Sequence, residues 1–230
     1  MTTKKEIPPF EGFPRELPDF LWGLALHNEK PWFEARREEY ERCLHGPLKA
    51  LGWQVLEALA DRFPQETFAL HISRIYRDAR NLRGRGPLND HMWFSIGRTG
   101  RVYAVEPQFY FGVEARCCDW GLGFWGMDSD MLDRWRKSID ADPRRLSRIV
   151  RAVNRMEGFR RYGDVYKRPK GDPGPLLYEW YNTRTPGVNR TLWFEPDPPG
   201  PELAEQMTED FIKLMPLYRY LREMGTSVPD

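Results

Sequence analysis

The stretch Phe68-Ala-Leu-His-Ile-Ser-Arg-Ile-Tyr76 marks the point where the sequence changes from a helical to an extended pattern. Short aromatic and β-branched runs with a period of two follow at Met92–Ile96, Arg101–Val105 and Gln108–Val113, separated by glycine and proline. Such alternation, bounded by turn formers, is typical of antiparallel strands. The sequence therefore predicts a sheet that begins near residue 68.

Three helices are predicted before this sheet. The first follows Pro14, the second opens at Pro31 and runs to Gly46-Pro47, and the third ends at Pro64. Their apolar residues recur at steps of three and four, the spacing of one helix face. These positions are Leu17, Phe20, Leu21 and Leu24; Trp32, Phe33, Tyr40 and Leu44; and Leu48, Leu51, Val55, Leu56 and Leu59.

Helical spacing returns after the strands. The glycine-rich stretch Gly121–Gly126 lacks the flanking strand and helix of a dinucleotide fingerprint, so it predicts a strand or bend where backbones pack closely. A helix is predicted over Met131–Ile139, and another after Asp142-Pro143, where an N-cap precedes a first-turn proline. A loop is expected over Gly158–Pro175.

The last quarter predicts a short helix that ends at Trp180-Tyr181, a strand over Val188–Phe194 and a terminal helix kinked or interrupted at Pro216. Helices, then strands, then helices favour an α+β fold over alternating βαβ units. We therefore predict one domain over residues 1–230, with a central, mostly antiparallel sheet and helices packed around it.

Charge is balanced over the whole chain but not along it. The 35 basic and 34 acidic residues give a net charge of +1, which argues against generic nucleic-acid binding. The region from Arg134 to Lys170 nevertheless holds thirteen Lys or Arg residues and only four acidic ones. A basic interaction face is therefore predicted there.

Three cysteines, two of them adjacent at Cys117 and Cys118, cannot build a disulfide framework, so a reducing cytoplasm is expected. The first residues lack the apolar run of a signal peptide, and no stretch is long enough to span a bilayer. The vicinal pair suits either small hydrophobic packing or soft-metal binding and oxidation.

The segment His71–Arg80 carries the densest charge pattern near the predicted sheet. If it continues as a strand, Arg74 points with the apolar residues and needs a carboxylate or an anionic ligand. Asp78 and Glu114 are the nearest candidates in sequence for a carboxylate partner. The arginines of this motif either bind a phosphate or carboxylate, or stabilise the sheet against the loops through ion pairs. They are Arg74, Arg77, Arg80 and Arg83.

His91 is a candidate for proton transfer, because it precedes a strand and its imidazole titrates near neutral pH. Asp78 is the second catalytic candidate and also orients the neighbouring arginines. The four histidines lack metalloprotease spacing and the cysteines lack zinc-finger spacing, so no metal site is predicted. The loop Tyr166-Lys-Arg-Pro-Lys-Gly171 adds Lys167 and Arg168 to the possible anion ligands.

Several of these stretches together resemble the family known as domain of unknown function 2461, a group of uncharacterised bacterial proteins. They are Asn28–Tyr40 with Trp32-Phe33, Arg74–Arg80, Phe109-Tyr-Phe-Gly, Gly121–Trp125, Tyr166-Lys-Arg168, Glu179-Trp-Tyr181 and the ending Phe211–Tyr218. The resemblance runs from about Phe13 to Arg222, which we take as the ordered core between short flexible ends.

The resemblance implies no activity or cofactor, because the family has none established. By motif it matches Trp32, Phe33, Arg74, Arg77, Asp78, Arg80, Lys167 and Arg168. Many members carry lysines and a Pro-Tyr-Lys-Thr-like turn after the arginine-aspartate motif, whereas Asn81–His91 of this sequence lacks them. A ligand contact made by that lysine in other members is therefore either lost here or taken over by Arg83 or Arg85.

Two functions stay open at this point. The first is a pocket for an anionic small molecule formed by Arg74, Arg77 and Arg80, enzymatic or not. The second is a protein or nucleic-acid interaction module that uses the basic 134–170 region. The sequence leaves the substrate, the cofactor and the oligomeric state open.

Overall fold

The computed structural model of the chain describes residues 7–78, 80, 82, 84–98 and 106–226. Its helices are α1 Leu17–Leu26, α2 Lys30–Glu34, α3 Arg37–Tyr40, α4 Gly46–Arg62, α5 Ser129–Ala141, α6 Pro143–Val153, α7 Tyr178–Tyr181 and α8 Glu202–Thr226. A π-helical turn, Glu41–His45, joins α3 to α4. Its strands are β1 Phe68–Ile72, β2 Met92–Arg98, β3 Gln108–Val113, β4 Cys117–Gly123, β5 Arg160–Tyr162 and β6 Gly187–Trp193.

The strands form one antiparallel sheet in the order β1-β2-β3-β4-β6-β5, with helices around it. The predicted α+β class is therefore confirmed. β5 lies inside the stretch predicted as a loop, and its residue Arg160 pairs with Asn189 of β6. The predicted strand Arg101–Val105 lies outside the described residues.

Three predicted boundaries differ from the observed ones. β1 ends at Ile72 rather than Tyr76, and Gly46-Pro47 begins α4 rather than ending a helix. Pro at the first turn of a helix costs little, because the N–H that it lacks would have no partner there. The terminal helix is not interrupted at Pro216, because buried Leu214 and Leu217 anchor α8 on both sides of it.

The chain divides into two compact units. Unit 1 comprises Met1–Ile96, Tyr110–Asp119 and Leu192–Thr208, and unit 2 comprises Gly97–Phe109, Trp120–Thr191 and Glu209–Asp230. The sequence-based prediction of a single domain stays a prediction.

Aromatic and aliphatic side chains fill the core of unit 1. Phe111 stacks on Phe13 and Phe94, with ring centroids 6.0 and 5.4 Å apart. Gly52 of α4 lets that helix approach the strands, since a Cβ there would lie 2.9 Å from Cδ1 of Leu70. The core therefore depends on close contact between α4 and β1.

Unit 2 has a core of its own, which contains two clusters of aromatic side chains. Phe109 stacks on Phe211 at 4.8 Å. Trp135 of α5 is fully buried, packs edge-on against Tyr220 at 5.8 Å, and donates from its indole N–H to the carbonyl of Trp180 at 2.7 Å. The indole's single donor is thereby satisfied, as burial requires.

Among the described residues, no helix combines the length and the apolar character needed to cross a membrane.

Candidate anion-binding sites

The arginine motif lies beside a short antiparallel ladder in unit 1. Arg77 donates its backbone N–H to Pro87 at 2.8 Å, and Asn89 donates its backbone N–H to Ile75 at 2.7 Å. Ile75 is buried and Arg74 is exposed. The expectation that Arg74 points inward with the apolar residues is therefore wrong, because β1 ends at Ile72 and its alternation does not continue.

Arg77 is the arginine of the motif that the fold encloses. Its side chain is 9% exposed, its Nε donates to the carbonyl of Leu88 at 2.7 Å, and its Nη2 donates to Oδ1 of Asp90 at 3.0 Å. Its Nη1 is buried and has no hydrogen-bond partner within the described part of the chain. Most of this guanidinium thus holds the segment from Leu88 to Asp90 in place.

Asp78 and Arg80 form a local, exposed ion pair with an Oδ2–Nη2 distance of 2.6 Å. Asp78 also accepts the backbone N–H of Arg80. The side-chain and backbone hydrogen bonds from Arg80 lower the pKa of Asp78 to about 2. Asp78 is therefore an ionised carboxylate that is hydrogen-bonded to Arg80. This arrangement suits a structural role in the local backbone better than general acid catalysis.

No ion pair in the described part of the chain joins Arg74 to Asp78 or Glu114, the two partners proposed for it from sequence. Glu114 is exposed, and its backbone N–H bonds to Cys117 at the turn between β3 and β4. Arg83 lies outside the described residues.

His91 contacts the same carboxylate that Arg77 contacts. Its Nδ1 lies 3.1 Å from Oδ1 of Asp90, and its side chain is about half exposed. Partial burial would raise the pKa of Asp90, but the hydrogen bond from His91 and the charges of His91 and Arg77 outweigh it, so the pKa lies below its ordinary value. Asp90 is thus an ionised partner that orients His91.

Lys167 and Arg168 belong to unit 2, where both are exposed on the loop that precedes α7. Their neighbour Tyr166 is covered by two cations, Lys170 with Nζ 5.0 Å from the ring centroid and Arg184 with Cζ 5.2 Å from it. Arg184 went unrecognised in the sequence, since only the bridge between Val165 and Thr183 brings it to this loop.

A row of four arginines lies on the solvent side of α6 and the turn that continues it. Leu146, Val150 and Val153 bury the opposite face of the helix. Residues at steps of four, three and four fall on one face, because the helix turns once in 3.6 residues. The members of the row, all exposed, are Arg144, Arg148, Arg151 and Arg155.

Arg145 of the same helix serves a different purpose. It pairs with Glu223 at 2.7 Å and lies over the ring of Tyr220 at 5.1 Å. No ion pair within the described ranges involves a member of the row, although Asp142 and Glu157 bracket it in sequence. Arg145, which faces α8, is therefore paired, whereas the four outer arginines have no acidic partner among the described residues.

The vicinal cysteines do not form a chelating pair. Cys117 is partly exposed and Cys118 is buried, and successive side chains of β4 point to opposite faces of the sheet. Burial raises the pKa of both thiols. Cys43 is fully buried, as expected for a small hydrophobic residue.

A family model of conserved hypothetical proteins, DUF2461, matches residues 16–220, which is most of the chain. The chain belongs to this family. No curated protein matches the sequence.

The structure shows what two residues of the DUF2461 resemblance do. Phe33 is buried and packs edge-on against Tyr40 and Tyr76, with centroids 5.2 and 5.7 Å away. Trp32 lies under the guanidinium of Arg36 at 4.4 Å. These contacts are packing interactions, so these two residues of the motif contribute to the stability of the fold.

Proposed function

We propose that this protein is a nucleic-acid interaction module and that the arginine row of α6 tracks the phosphate backbone. The observation that carries the proposal is the row itself, four exposed arginines on one helix face without acidic partners in the described residues. The near-neutral charge of the chain argues against binding over the whole surface, so the proposal concerns this face alone.

The row is unfavourable for the isolated helix. Like charges at steps of four destabilise a helix by a few tenths of a kcal/mol for each pair, and Arg144 and Arg148 form such a pair within α6. Bound phosphates would offset that repulsion. A planar guanidinium presents paired donors that match two oxygens of a phosphate or of a carboxylate. The phosphates of a nucleic acid repeat along a line, as the arginines of the row do, and this repetition favours a phosphate polymer.

The dimensions also suit a polymer. At 1.5 Å per residue, the eleven steps from Arg144 to Arg155 extend about 16 Å, whereas the phosphates of one duplex strand advance about 3.4 Å each along the axis. The row therefore spans several consecutive phosphates rather than a single anion.

Fluorescence anisotropy with labelled oligonucleotides tests this proposal. Four contacts predict a slope of log K against log salt of about −3.6 for a duplex and about −2.8 for a single strand, so duplex binding weakens roughly a hundredfold between 50 and 200 mM salt. Changing all four arginines to Gln, which keeps helix propensity, should abolish most binding.

The matched control changes four exposed cations of unit 1 to Gln, namely Arg15, Lys30, Arg62 and Arg116. It removes the same total charge but should retain binding. Equal loss in both quadruple variants would mean a general charge effect, and binding to polyglutamate without binding to oligonucleotides would indicate an acidic protein partner. Either result overturns the proposal.

A second candidate function is anion binding at the arginine motif. Two features support it, the exposed side chain of Arg74 and the buried Nη1 of Arg77, which has no hydrogen-bond partner among the residues that the structure describes. Thermal shift with phosphate and with carboxylates is the test, since a ligand that binds the folded state raises the melting temperature. The stabilisation should disappear in Arg74→Gln, and its persistence there would exclude this site.

A further inference from the structure

We propose a second binding site in unit 2 for a single phosphoryl group, formed by cations at the loop of Tyr166. Lys170 and Arg184 lie over the ring of Tyr166, and Lys167 and Arg168 follow it directly in sequence. We call these four residues the Tyr166 cluster. The proposal goes beyond the α6 row, because it uses other residues and takes a small phosphate compound rather than a polymer.

A fixed scaffold supports the cluster. The side-chain amide of Asn182 is almost fully buried, accepts the backbone N–H of Lys170 at 2.6 Å, and donates to the carbonyls of Gly171 and Tyr178 at 3.0 and 2.9 Å. The backbone N–H of Tyr166 bonds to the carbonyl of Asn182 at 2.9 Å. The loop is thus held at both sides of its cations.

The segment that carries Arg184 is also fixed by backbone contacts. Arg184 donates its backbone N–H to the carbonyl of Asp164 at 2.8 Å, next to the bridge between Val165 and Thr183. Gly163 has a φ of +96°, which favours glycine, and a Cβ there would lie 2.4 Å from the carbonyl oxygen of Thr185. The backbones of Lys170 and Arg184 are therefore both held by hydrogen bonds next to Tyr166.

The members of the cluster are all positively charged and repel one another. Lys170 and Arg184 both lie over the ring of Tyr166, so their charged groups are no farther apart than the sum of their distances to its centroid, 5.0 and 5.2 Å. This upper limit slightly exceeds the screening length of about 8 Å at physiological salt, so the repulsion between the two cations is weak there and grows as the ionic strength is lowered. The ring offsets part of it by cation–π attraction.

The cluster has no acidic partner among the described residues. No acidic side chain forms an ion pair with a member of the cluster in the part of the chain that the structure describes. Glu179, which lies close to the same loop in sequence, forms an ion pair with Arg161 at 3.1 Å. A bound anion would supply the negative charge that the protein itself does not provide.

The chemistry of the donors selects a phosphate monoester. Arginine offers two parallel N–H donors and lysine a mobile point charge, and a phosphoryl group near neutral pH carries close to two negative charges and three acceptor oxygens. A carboxylate has one charge and two oxygens, so it neutralises the cluster less completely. We therefore expect phosphate and phosphate esters to bind in preference to acetate.

Isothermal titration with inorganic phosphate and with AMP, at constant ionic strength set by chloride, tests the site. We expect one saturable site for each ligand, and at least tenfold weaker binding in Arg184→Gln. This variant keeps the loop, because Arg184 anchors it through its backbone N–H. Circular dichroism checks that the variant is folded.

The matched control is Arg62→Gln, which removes another exposed arginine that lies over an aromatic ring, that of Phe63 at 5.5 Å. It should bind phosphate like the parent protein. Absence of phosphate binding, or equal affinities in Arg184→Gln and the parent, would overturn the proposal. So would binding of an oligonucleotide at the cluster without binding of phosphate or AMP, since that outcome identifies a polymer site.

The two proposals fail separately. Loss of oligonucleotide binding in the α6 quadruple variant concerns the row alone, and the phosphate titration of Arg184→Gln concerns the cluster alone.

Discussion

Arg77 donates from Nη2 to Oδ1 of Asp90 at 3.0 Å, and this bond ties the arginine motif to the segment that precedes β2. The same guanidinium donates from Nε to the carbonyl of Leu88. A guanidinium stays charged when buried, so its enclosure is tolerated only with such partners. The most enclosed arginine of the motif therefore has a structural role.

This role predicts different outcomes for two arginines of one motif. Arg77→Ala should lower the free energy of unfolding by about 2 kcal/mol, because it removes two charged hydrogen bonds, one of them to a half-exposed carboxylate. Arg80→Ala should leave stability essentially unchanged, since its pair with Asp78 is exposed. Urea unfolding measures both, and equal losses would contradict this division.

A second prediction concerns the scaffold of the Tyr166 cluster. Asn182→Ala removes three hydrogen bonds of a buried amide and leaves the backbone N–H of Lys170 without its partner. We expect a loss of about 3 kcal/mol in the free energy of unfolding. The exposed Asn154 at the end of α6 provides the control, and Asn154→Ala should cost far less.

Glycines of the segment Gly121–Gly126 should differ sharply in their tolerance of a methyl group. A Cβ at Gly121 would lie 2.0 Å from the carbonyl oxygen of Val188 on β6, and backbone cannot move aside as a side chain can. At Gly126 a Cβ would meet nothing within 4 Å. Gly121→Ala should therefore cost about 3 kcal/mol or more in thermal or urea unfolding, and Gly126→Ala little.

Local signals in the sequence predicted local structure well. The side chain of Asp142 caps α6 by accepting the backbone N–H of Arg145 at 3.0 Å, as the Asp-Pro pair indicated. The strand Gln108–Val113 has the bounds that its alternation predicted. The close backbone approach expected at Gly121 is also present. It was predictable from sequence because glycine, which has no side chain, is a direct signal for such an approach.

Features that depend on distant partners were not predictable in the same way. β5 has three residues and exists through its pairing with β6, so its own sequence contains too few positions for a periodic pattern. The basic region 134–170 was recognised, but which of its arginines are paired was not. Arg145 is neutralised by Glu223 of α8, and only the folded chain brings these two together.

The buried carboxyl of Asp210 gives a pH-dependent prediction. Trp120 donates its indole N–H to Oδ2 of Asp210 at 3.0 Å, and Arg190 lies 3.7 Å from the same oxygen. Burial raises the pKa of Asp210 above its ordinary value, although Trp120 and the charge of Arg190 act in the opposite direction. Between pH 3.8, the ordinary pKa of an aspartate, and the higher pKa of Asp210 in the folded state, the carboxyl is therefore protonated in the folded protein and ionised in the unfolded one.

Because the folded state binds more protons in that window, stability from this group falls as pH rises through it and is recovered as pH falls. In Asp210→Asn the group does not titrate. The free energy of unfolding of the parent protein, relative to Asp210→Asn, should therefore increase as pH falls through the window, with a slope of at most about 1.4 kcal/mol per pH unit. Urea unfolding of both proteins across this range measures it, and a difference that shrinks toward low pH would mean that Trp120 and Arg190 stabilise the charged carboxylate more than burial opposes it.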